Sequence, residues 1–123
     1  MGAESYLNIG KGKTAQHAFD RLVEKAQWDH GHAGYTGTIA EKTDFVEFIR
    51  PKGMRRDSVR KMVEQLEGVM YDSYGLPDLE PLQALYPKFN IQKMYNIYQE
   101  KWGPALCISL SDTEYLFTGY ASS

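Results

Sequence analysis

The chain has 123 residues, 42% of them hydrophobic and 13% aromatic, with a formal net charge of −2. That size and apolar content suit one packed domain, residues 1–123, and exclude a disordered chain. The charge excludes a global pull towards nucleic acid, the lone Cys107 excludes a disulfide within the chain, and no apolar run approaches the ~20 residues of a membrane span.

Tyr6-Leu7-Asn8-Ile9 reads as a short first strand, followed by a flexible basic connector, Gly10-Lys11-Gly12-Lys13. Thr14 suits a helix N-cap. Ala15, Ala18, Phe19, Leu22, Val23 and Ala26 recur at helical spacing, predicting a helix to about Trp28 that stops at a left-handed Gly31. A glycine-rich loop follows, from Gly31 to Thr38. Thr38–Ala40 and Asp44–Ile49 read as extended. A second helix is expected from Asp57 or Ser58, with Val59, Met62, Val63, Leu66 and Met70 on its apolar face.

Pro77, Pro81 and Pro87 mark Tyr74–Lys88 as an irregular excursion with one helical turn at Pro81–Leu85. Asn90 caps a third helix whose face carries Ile91, Met94, Tyr95, Tyr98 and Trp102, ended by Gly103-Pro104. Ala105–Leu110 and Tyr115–Tyr120 form a C-terminal hairpin, with Phe117 expected near the aromatics of the third helix. The sum is an α+β fold, a mostly antiparallel sheet with about three helices packed on it.

The glycine loop is the strongest pointer to function. Gly31, Gly34 and Gly37 recur every third residue, interleaved with His32, Tyr35, Thr36 and Thr38. Glycine lets backbone N–H groups approach an anion, and threonine hydroxyls donate to phosphate oxygens. Tyr35 offers a stacking face for a base. Each glycine also has an ordinary use in a cap, a turn or a bulge. The second feature is basic: Arg50, Lys52, Arg55, Arg56, Arg60 and Lys61 hold six of the chain's 14 basic residues. Arginine forks bind phosphate bidentately. Together they predict a non-enzymatic binder of a small phosphorylated or nucleotide-like ligand, held by His32, Gly34, Tyr35, Thr36, Gly37, Thr38, Arg55 and Arg56.

Other constellations are weaker. Gly12-Lys13-Thr14 matches the end of a phosphate-binding P-loop, but Leu7 stands where its first glycine belongs. His30 and His32, with one distant Glu or Asp, suggest a metal-assisted hydrolase as an alternative. Cys107 sits in an apolar strand, as core cysteines do. Nucleic acid binding through Arg50, Arg55, Arg56, Arg60 and Lys61 lacks a supporting motif. The tyrosine load and the proline-bounded excursion point to a protein-interaction module. No catalytic residue, metal or cofactor is assigned, no membrane partner is expected, and the expected setting is reducing and cytoplasmic.

The run Gly31–Lys42, GHAGYTGTIAEK, resembles that of a group of small phage and bacterial proteins. Their chains end in a W-G-P-A segment and a Y-L-F-T-G-Y-A hairpin, here Trp102–Ala105 and Tyr115–Ala121. The resemblance implies an accessory factor acting on a host system, in some cases by sequestering a nucleotide signal. It implies no catalytic residues.

Overall fold

The computed structural model describes residues 2–123. Strand β1 (Ala3–Lys11) leads into helix α1 (Ala15–His30), a 3-10 turn (Ile39–Glu41) and strand β2 (Phe45–Ile49). Helices α2 (Arg56–Glu67), α3 (Glu80–Leu85) and α4 (Ile91–Gln99) follow, then strands β3 (Ala105–Ser109) and β4 (Glu114–Ser122). The fold is α+β. One four-stranded sheet has the order β1-β4-β3-β2. β1–β4 and β3–β4 are antiparallel, while β2–β3 is parallel, so the sheet is mixed.

The connections explain the layers. β1, β2 and β3 run the same way. The crossover from β1 to β2 passes across the sheet in one direction, and the crossover from β2 to β3 returns in the other. A common right hand for both therefore puts α1 on one face and α2–α4 on the other. The core divides accordingly. Phe19 and Ala18 of α1 pack on Phe117, Cys107, Ala105 and Ile39. Val59, Met62, Leu66, Met94 and Tyr98 pack on Leu106, Ile108 and Leu116.

Local chemistry sets the helix starts. Thr14 Oγ1 accepts from His17 N at 3.1 Å, and Asn90 Oδ1 accepts from Lys93 N at 3.1 Å, each satisfying an orphan amide of the first turn. The basic connector closes against the same turn, where Lys13 N donates to His17 Nδ1. α2 starts earlier than expected, at Arg56, with no side-chain cap. α1 runs on to His30, two residues past the expected end.

Several expectations are corrected. Thr38–Ala40 is not extended: Thr38 Oγ1 accepts from Ala40 N and caps the 3-10 turn. α2 ends at Glu67, so Met70 leaves its apolar face and is exposed. Trp102 falls beyond α4 and is also exposed. Phe117 lies on the opposite face from Tyr95 and Tyr98. It joins Phe19 and Phe45 in a triad with centroids 5.1–5.5 Å apart. No described helix is long and apolar enough to cross a membrane.

The Phe triad ties α1 to the sheet. Phe117→Ala should cost about 3–5 kcal/mol of unfolding free energy, read by urea denaturation. A loss below about 1 kcal/mol would mean that the α1 layer rests on other contacts.

Candidate functional site

The glycine loop leaves α1 at Gly31, with φ 85° and ψ −176°. This is a conformation open in practice to glycine. Gly31 N still donates to Gln27 O at 2.7 Å and ends the helix. Gly37 also takes a positive φ, 70°, and a Cβ there, 2.5 Å from a Glu4 carboxylate oxygen, would have to displace the exposed Glu4 side chain.

The donors from Tyr35 to Gly37 are already used. Glu41, on the 3-10 turn, accepts from Tyr35 N at 3.1 Å, Thr36 N at 3.2 Å and Thr36 Oγ1 at 2.8 Å. Thr36 Oγ1 lies 2.8 Å from Thr38 Oγ1, which receives Ala40 N. Gly37 N donates to Ser122 O at 2.8 Å. The anion held by the Tyr35 and Thr36 amides and the Thr36 hydroxyl is therefore the chain's own Glu41.

Lys42 closes the arrangement. It is only 3% exposed. Its Nζ donates to the carbonyls of Glu100 (3.1 Å), Lys101 (3.2 Å) and Gly103 (3.0 Å). These carbonyls follow α4, whose C-terminal end carries partial negative charge. Burial lowers the ammonium pKa from its usual value to about 8, while Glu100 pulls the other way. Tyr35 has a positive φ of 57° and meets the ring of Trp102 edge-on, with centroids 6.2 Å apart. The three motif segments thus meet: Gly31–Lys42, Trp102–Ala105 and the end of β4 form one clamp.

Arg55 and Arg56 are elsewhere. Arg56 pairs with Glu114 at 3.0 Å, at the start of β4, whereas Gly37 binds Ser122 at its end. Eight strand residues separate these points, about 26 Å. Arg50 turns inward and donates to Met54 O. Arg60 and Lys61 lie exposed on α2. The structure places Tyr35, Thr36, Gly37 and Thr38 together and does not bring the arginines to them.

Cavities do not gather the site either. A groove of about 310 Å³ between β1 and α1 includes Gly37, Thr38, Lys25, Asp29 and His30. A shallow cleft of about 550 Å³ on α1 holds His32 beside Trp28. Among the described residues no three His, Cys, Asp or Glu side chains come together. The hydrolase alternative therefore lacks its third ligand. Cys107 is fully buried, and burial followed by Glu47 pushes its thiol pKa up, away from the thiolate needed for attack.

Comparison with protein-family models, curated proteins and solved structures gave no match.

Glu41 and Lys42 are the residues that sequence reading passed over. The available signal was a carboxylate four residues beyond the last glycine of the loop, followed directly by a lysine. Glu41→Ala should leave the Tyr35 and Thr36 amides without their acceptor and lower stability by about 1–3 kcal/mol. An unchanged melting temperature would contradict the assignment.

Lys42→Met strips the donor from three carbonyls and should cost about 3 kcal/mol. The pH dependence has a defined sign. With a folded pKa of about 8 against 10.5 unfolded, the unfolded chain binds more protons between those values. Wild-type stability therefore rises with pH across that window, and Lys42→Met lacks the rise. The gap between them, measured in urea, should be wider at about pH 9.5 than at about pH 7. A gap that narrows would refute it.

Proposed function

We propose that the chain is a protein-interaction module that binds its partner through the segment Met70–Leu85. One observation carries this reading: Met70, Tyr71, Tyr74, Leu76 and Leu85 are all exposed, and the first four sit on one hairpin tip. Tyr74 is 87% exposed. Solvent-facing apolar side chains are ordinary singly, but a contiguous group is characteristic of an interaction site.

The tip is ordered from within. Asp78 N donates to Met70 O and Asp72 N to Leu76 O, each at 2.8 Å, and Tyr71 bridges Pro77. Asp72 Oδ1 accepts from Tyr74 N at 2.8 Å and Leu76 N at 3.0 Å, while Gly75 supplies a positive φ of 78°. This is a small hairpin where an irregular excursion was expected. The Tyr71 hydroxyl bonds that of Tyr95 on α4 and ties the tip to the core. Burial, and then this bond, push the Tyr95 hydroxyl up to about 12, so the link stays protonated across the physiological range. A tip held this way loses little conformational entropy on binding, which favours affinity.

Charge narrows the partner's chemistry. Asp78 and Glu80 are exposed around the apolar tip. The complementary surface is an apolar cleft with a basic rim on another protein. An accessory factor acting on a host system, as the resemblance implies, fits that description.

A small phosphorylated ligand at the glycine loop is the second reading. It is favoured by the fact that the loop's donors already hold a carboxylate, so their geometry suits an oxyanion. Such a ligand would have to displace Glu41.

Photo-crosslinking from position 74, with the captured protein identified and its affinity then measured, tests the interaction reading. Tyr74→Ser should weaken binding by about 2 kcal/mol, roughly thirtyfold in Kd, with an unchanged melting temperature. Binding that Tyr74→Ser and Leu76→Ser leave intact would refute the assignment of the tip.

A further inference from the structure

We propose that β1 is a homodimerisation edge, pairing antiparallel with β1 of a second copy to join two four-stranded sheets into one. Hydrogen-bond parity sets which β1 residues face outward. Gly2 and Ser123 exchange both backbone bonds, at 3.3 and 3.2 Å, and Gly12 donates to Thr113 O at 3.0 Å. Antiparallel ladders alternate, so the even residues of β1 face β4. The odd residues Ala3, Ser5, Leu7 and Ile9 turn N–H and C=O to the open side. Among the described residues none of those groups has a hydrogen-bond partner. Only Lys11, the next in the series, has its carbonyl engaged, by Arg21.

Proteins protect such edges with shortness, proline, bulges or central charge. The other edge of this sheet does so: β2 has five residues with Glu47 at its centre. β1 does not. It has nine residues and no proline, and its register runs unbroken from Ala3↔Ser122 to Lys11↔Glu114. Its charges, Glu4 and Lys11, stand near the ends. Ile9 is 39% exposed beside the open edge.

The occupant follows from self-complementarity. Two outward-facing ladders pair odd residue to odd residue. A two-fold axis at Leu7 sets Ser5 against Ile9 of the second copy. α2 lies along β1 on one face and runs opposite to it. Its Arg56 binds Glu114, the cross-strand partner of Lys11, while its Glu67 accepts from Ser5 Oγ at 3.0 Å. Arg56, Arg60, Glu64 and Glu67 are all exposed and fall on one helical stripe, basic at one end and acidic at the other. Glu64 and Glu67 also border Ser5 and Leu7. The same two-fold axis brings Arg60 of each copy to Glu67 of the other, as an isologous interface requires.

Sedimentation equilibrium across a concentration series is the test. The wild-type chain should reach twice its monomer mass. Ile9→Pro removes an outward N–H while leaving the β4 ladder its bonds, and should be a folded monomer by circular dichroism. Arg60→Glu and Glu67→Arg should each raise the dimer Kd by about tenfold or more. The double variant, with both charges reversed, should recover most of that loss. A wild-type chain that stays monomeric to its solubility limit overturns the proposal, as does a dimer that Ile9→Pro leaves intact. Should Ile9→Pro unfold, the charge-reversal set decides: a dimer indifferent to Arg60→Glu contradicts the interface.

Discussion

Strands β3 and β4 are apolar on both faces, and the rest of the chain is placed by the need to cover them. Ala105, Leu106, Cys107 and Ile108 are buried in succession, as are Tyr115, Leu116, Phe117 and Thr118. A hairpin of this kind cannot lie at a surface or carry a single layer of helices. It takes α1 and the 3-10 turn on the Phe117 face and α2–α4 on the Leu116 face. The flanking strands β1 and β2 then become edges, and the loops are left to close the ends of the layers.

That constraint gives the motif segments a common explanation. The glycine loop is the return path from α1 to the 3-10 turn that seals the Phe117 face. Its exposed first half, Gly31–Tyr35, gives way to half-buried Thr36 and buried Gly37, where amides leaving water need acceptors. Glu41 and the Ser122 carbonyl supply them, while Lys42 supplies the donor for three carbonyls beyond α4. The residues most suggestive of a ligand cradle thus satisfy one another. Surfaces left without an internal partner include the Met70–Leu76 tip and the open edge of β1.

Much of the fold was legible in the sequence because it rests on local chemistry. Thr14 and Asn90 announced their helices by capping, and Ala105–Leu110 with Tyr115–Tyr120 announced a hairpin. The failures share one cause, a dependence on distant partners. An unbroken apolar run such as Tyr115-Leu116-Phe117 has no alternation to show which face each ring takes, so Phe117 was assigned to the wrong layer. Helical spacing carried Trp102 onto the α4 face, but Lys42, distant in sequence, draws the carbonyls of Glu100, Lys101 and Gly103 into a bend. β1 extends well beyond Tyr6–Ile9 because its pairing with β4, not its own composition, sets its length. Of the candidate site, the loop's conformational demand for glycine was readable. The occupant of its amides was not, because Glu41 reaches them only after the 3-10 turn folds back.

The glycine loop is a structural strap whose Tyr35, Thr36 and Gly37 amides are engaged within the chain. Amide hydrogen exchange by NMR, residue by residue along the loop, tests it most directly. Tyr35, Thr36 and Gly37, each bonded within the chain, should be protected, while His32, Ala33 and Gly34 exchange freely. Adding nucleotides should move none of these resonances. Free exchange at Tyr35, Thr36 and Gly37, with protection appearing only on addition of a nucleotide, would contradict the account and return the loop to the role of a ligand cradle.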